Sequence, residues 1–88
     1  MSLVSYKDVL PPGLIYRTRS TLRPLNELLV QQLVNIVRKS DTSESYKERA
    51  LTMLEKHKLH LSDTEYRLLL DIVNWIAQTI DYVKIIRS

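Results

Sequence analysis

Apolar and polar positions alternate along this chain at helical intervals. Leu22, Leu25, Leu29, Leu33 and Ile36 recur three or four residues apart, and Val30, Val34 and Val37 widen the ridge. Glu27, Gln31, Asn35 and Arg38 line the opposite side at the same period. That pattern predicts an amphipathic helix over 21–39, with Thr21 as its cap and Pro24 in the first turn, where backbone N–H groups have no helical partner. A second apolar stripe, Tyr46, Ala50, Met53 and Leu54 with Leu51 beside it, predicts a helix over 45–58. Its expected start is a capping box, Ser45 to Glu48 in "SYKE", and its end frays around "KHKLHL".

The last pattern is different in kind. A capping box from Ser62 to Glu65, "SDTE", opens a helix predicted over 63–86, roughly 35 Å long at the usual rise. Its polar positions, Arg67, Asp71, Asn74, Gln78 and Asp81, form one narrow stripe, and nearly everything else on it is apolar. Such a helix needs cover over most of its circumference.

Glycine and proline stop after Pro24, so punctuation is confined to the N-terminal quarter. Pro11 and Pro12 end any helical turn begun in "SYKDVL", and "PPG" reads as a tight turn. Residues 1–20 are therefore expected to form an irregular arm pinned by Leu3, Val4, Val9, Leu10, Leu14 and Ile15. The expected fold is all-α: a single domain over 1–88, built as a three-helix antiparallel bundle with that arm along it and a long C-terminal helix.

At 88 residues, one core is close to the smallest that suffices, and with no cysteine neither a disulfide nor a thiolate-zinc site can supplement it. Good helix packing or association with a partner must supply the rest. Lys7 and Asp8 interrupt what would have to be the apolar core of a signal peptide, and no apolar run approaches bilayer length. A cytoplasmic protein without a membrane role is the expectation. Net charge is +3, but it is unevenly placed. Residues 1–40 hold six bases against two acids, whereas 41–88 hold seven against eight.

Most site chemistry is missing. His57 and His60 sit three apart in a frayed segment without a regular third metal ligand, and one glycine cannot build a phosphate-cradling loop. Acids such as Asp63 and Glu65 are explained as helix-start charges. The reading is non-enzymatic, with no catalytic residue, metal, cofactor or small-molecule substrate. A helix-turn-helix reader is excluded as well, since the would-be recognition helix is apolar almost all round and bears Asp71 and Asp81.

Two candidate sites remain. Arg17 and Arg19 alternate in a stretch read as extended, so they are expected on one side, with Arg23 at a positive helix end. With Tyr16 they suit a phosphate backbone and a stacked base, or an acidic partner surface held by bidentate contacts. The second candidate is a protein interface on the last helix: Leu68, Ile72, Trp75, Tyr82 and Ile86. Aromatic anchors such as Trp75 concentrate binding energy.

The run from Arg23 to Asp81, a helix, a charged helix and then "LSDTEYRLLLDIVNWI", resembles the helical subunits of archaeal replication assemblies, such as the GINS complex or small accessory subunits of B-family DNA polymerases. The likeness is one of helical pattern and carries no site residue. It implies a non-catalytic accessory subunit of a DNA-replication or other nucleic-acid-processing complex. The alternatives are an autonomous basic nucleic-acid-binding protein and a homodimeric structural bundle.

Overall fold

The computed structural model describes the backbone of residues 6–87, and side-chain surroundings within that range except at positions 6, 8, 25 and 82–87. The described chain is all-α and contains no strand. A single turn, α1 (Tyr6–Val9), is followed by α2 (Pro12–Thr21), α3 (Glu27–Ile36), α4 (Ser43–His57) and α5 (Asp63–Arg87). Short 3-10 turns at Pro24–Asn26, Val37–Lys39 and Lys58–His60 join them.

The irregular arm expected over 1–20 is replaced, from Pro12 onward, by a ten-residue helix. Proline breaks a helix in its interior, but at the first helical position its missing N–H costs nothing and its φ is already set. Pro11 is extended (φ −67°, ψ 155°), Pro12 occupies the first turn, and the Pro11 carbonyl accepts from the N–H groups of Leu14 and Ile15 at 3.1 Å each. "PPG" is thus a helix start. Thr21, expected as the cap of the next helix, is the last residue of α2, and Leu22 breaks away with ψ 137°. Thr18 is buried and donates its hydroxyl hydrogen back to the Leu14 carbonyl at 2.8 Å.

The helix expected over 21–39 begins later, in the Pro24–Asn26 turn, and finishes as a 3-10 turn over Val37–Lys39. Where α3 tightens, the Val37 N–H bonds the Val34 and Asn35 carbonyls, and the Leu33 carbonyl accepts from the buried Tyr46 hydroxyl at 3.0 Å. Burial pushes that phenol's pKa up. The start of α4 also departs from expectation: Thr42, not Ser45, is the cap, its hydroxyl accepting from the Ser45 N–H at 3.1 Å. "DTSES" offers several capping side chains, and the earlier choice lengthens the helix. At α5 the expected box forms, with Ser62 N–H donating to Glu65 Oε1 (3.0 Å) and Glu65 N–H to Ser62 Oγ (3.2 Å).

α5 is the central element, packing against α2, α3 and α4. Its buried residues, Leu68, Leu69, Ile72, Val73, Ile76 and Ala77, meet Leu29, Val30, Leu33 and Val34 of α3 and Tyr46, Ala50 and Leu54 of α4 in one core. Leu10 and Leu22, on either side of α2, close it. Forming α2 gives α5 a cover that a loose arm would not, because a helix presents a continuous face.

A substitution tests the helical reading of "PPG". A Cβ added at Gly13 meets nothing within 4 Å, and no described residue has positive φ. Gly13→Ala is expected to stabilise by about 0.5 kcal/mol and to raise the melting temperature by a few degrees. Unchanged or lowered stability would contradict a helix at this position.

Candidate functional site

The three arginines do not form one grip. With Arg17 and Arg19 on a helix, two residues apart, their side chains leave the axis roughly 200° apart rather than on one side. Arg17 Nη2 bonds Asp71 Oδ2 of α5 at 3.0 Å, both side chains being about half exposed. Such a pair is worth less than about 1 kcal/mol, but it lays α2 against α5. Arg19 is exposed and has no ion-pair partner among the described residues.

Arg23 has a different task. Its backbone N–H donates to Glu65 Oε2 at 3.2 Å, and its Nη2 donates to Glu65 Oε1 at 3.3 Å and to the His60 carbonyl at 3.4 Å. Asn26 Nδ2 adds the shortest bond, 2.7 Å to Glu65 Oε2. Together with the Ser62 N–H, four donors converge on one carboxylate that is only 2% exposed. Burial alone would push this carboxyl up. The bonds from the Ser62 N–H, the Asn26 amide, and the backbone and guanidinium of Arg23 outweigh it and hold the pKa at about 2, against an ordinary 4.5. A carboxyl with a depressed folded pKa stabilises fully above its unfolded value. Glu65 therefore supports the fold above about pH 4.5, and that support is lost as pH falls toward about 2.

Two of the five residues expected to form an interface on the last helix are taken up within the chain. Leu68 and Ile72 lie in the core, and Trp75 is half-buried against it. Trp75 is one turn beyond Asp71, on the side of α5 that Arg17 reaches. The side chains of Tyr82 and Ile86 fall outside the described residues. α2 packs on part of the α5 surface that the sequence leaves to an irregular arm.

Exposed apolar surface occurs elsewhere. A groove of about 610 Å³ lies between the start of α3 and the link joining α4 to α5. Leu28 and Leu59 stand on its walls, 66% and 97% exposed, and Leu29 and Leu61 lie deeper. Arg23, His57 and His60 contribute the charged or imidazole edge, and none of its lining residues is acidic. The two histidines, which in the sequence look like bystanders of a frayed end, thus flank an apolar cleft. Leu28 and Leu59 are hidden in the pattern: Leu28 falls one position off the α3 ridge, and Leu59 sits in the basic run "KHKLHL". A second groove of about 510 Å³ between α3 and α4 carries four charged side chains, Lys39, Glu48, Arg49 and Lys56, beside Ile36, Met53, Ser45 and Thr52. Among the described residues no group of three His, Cys, Asp or Glu could hold a metal ion, and no helix is long and apolar enough to cross a membrane.

The two ion pairs should respond differently to mutation. Glu65→Gln leaves one acceptor oxygen and turns an NH₂ toward donors, so it is expected to cost about 1–3 kcal/mol in urea unfolding. Arg17→Ala is expected to cost less than about 1 kcal/mol. A Glu65→Gln protein as stable as the wild type, or less affected than Arg17→Ala, would contradict this assignment.

No protein-family model matches the chain. Searches of curated proteins and of solved structures likewise find no match, so function must be read from the chemistry of the groove itself.

Proposed function

We propose that this chain is a non-enzymatic protein-interaction module that receives a partner in the groove between α3 and the α4–α5 link. The observation that supports this most strongly is Leu59, 97% exposed and lining the same groove as Leu28. Single exposed leucines are ordinary on a protein surface. Two on one concave site, in a chain short enough to need every apolar contact, are better explained by a ligand that covers them. Burying a leucine side chain is worth about 1.5–3 kcal/mol, and much of that is offset by the cost of association, so specificity must come from the polar edge as well.

In this reading α3, α4 and α5 form an antiparallel three-helix frame, and the groove opens at the end of the frame where Glu65 ties the chain together. An accessory subunit of a nucleic-acid-processing complex is one setting for such a module. It needs no direct hold on nucleic acid, and Arg17 already faces a carboxylate within the chain.

Leu28→Ser with Leu59→Ser tests the proposal without touching the core. The double variant is expected to melt at or slightly above the wild-type temperature. Capture from the native host with wild-type chain is expected to recover a stoichiometric protein that the variant loses. Identical recoveries with both chains would contradict docking in this groove.

A further inference from the structure

We infer that the occupant of this groove is an acidic protein segment carrying aliphatic side chains, an inference that rests on the groove being a docking site at all. The lining residues include leucines, an arginine and two histidines, with no carboxylate to repel an acid. The acid immediately beneath, Glu65, is already saturated by four donors and presents almost no surface. The guanidinium of Arg23 is well exposed, and only its Nη2 is used within the described chain. Its remaining N–H groups are free to donate to an incoming carboxylate, and the ion pair with Glu65 already fixes its orientation. An arginine held in place in this way loses less rotamer entropy on binding than a free one.

The size of the site points the same way. About 610 Å³ holds several side chains but not a folded domain, which fits a segment that lays leucines or isoleucines beside Leu28 and Leu59. Nucleic acid fits less well. The rings on its edge are the two imidazoles, with no Phe, Tyr or Trp among the lining residues, and the two exposed leucines give phosphates nothing to contact. The one nearby lysine–aromatic contact, Lys58 Nζ at 5.5 Å from the Tyr66 ring centre, is internal to the chain. The unused donor edge of the Arg23 guanidinium favours a carboxylate, and the leucines set the partner's hydrophobicity.

The test is a selection from a displayed random peptide library on the full-length chain, with the Leu28→Ser, Leu59→Ser variant as counter-target. Enriched peptides are then synthesised and titrated by fluorescence anisotropy. The expected result is a set of net-negative sequences containing Leu, Ile or Met that lose about tenfold or more in affinity on Leu59→Ser alone. Their binding should also weaken as salt rises, and replacing their acids by lysine should abolish it. Enriched peptides that depend on the groove but are neutral or basic would overturn the acidic class while leaving the docking reading intact. Enrichment of no groove-dependent peptide would overturn both. A single-stranded oligonucleotide that competes for the same leucine-dependent site would replace the inference with a nucleic-acid ligand. A wild-type dimer in sedimentation that Leu59→Ser dissociates would replace it with a second copy of this chain.

Discussion

Four hydrogen bonds converge on the Glu65 carboxylate from three separate places in the chain: the Arg23 backbone and side chain, the Asn26 amide, and the Ser62 N–H. A buried charge left alone would cost several kcal/mol, so the site exists only while these donors are in place. Such a network fixes geometry more than it adds net stability. Here it joins the α2–α3 junction to the first turn of α5. With that junction held, Leu22 and Leu29 enter the core on either side of it. The same bonds hold Arg23 and Ser62 at the edge of the groove. Fold and candidate site therefore share one constraint.

Much of this is legible in the sequence, where local rules decide. The α5 start is readable because Ser62 and Glu65 satisfy each other three residues apart, with no help from the rest of the chain. The apolar ridges of α3 and α4 are readable for the same reason. The α2 helix is not, because "PPG" is a breaker inside a helix and a start signal at its first turn. Its role depends on whether Leu14 to Thr21 go on as a helix, and that is decided by packing against α5. The arginines mislead because charge in a sequence shows supply and not demand. Asp71 lies 54 residues from Arg17, and Glu65 lies 42 from Arg23, so neither pairing is visible at helical spacing. Glu65 itself reads fully as a capping residue, which conceals its second role.

The candidate site escapes notice for a related reason. Sequence reasoning seeks an interface where apolar residues are most abundant, on α5, yet abundance there reflects a helix surrounded by three others. What marks the groove is apolar residues out of phase with their own helix, Leu28 one position off its ridge and Leu59 in a basic turn. Packing within the chain explains the α5 residues that are buried. It does not explain a leucine almost wholly in water, and this asymmetry moves the functional reading from α5 to the α4–α5 link.

The central claim, that an ionised Glu65 clamps the two halves of the chain, is tested most directly by following its side-chain carboxyl carbon by NMR during an acid titration. The account predicts a midpoint near pH 2, well below the ordinary 4.5, with shifts at the Arg23, Asn26 and Ser62 amides in the same step. A midpoint at or above 4.5, or a titration that leaves those three amides unmoved, would contradict it.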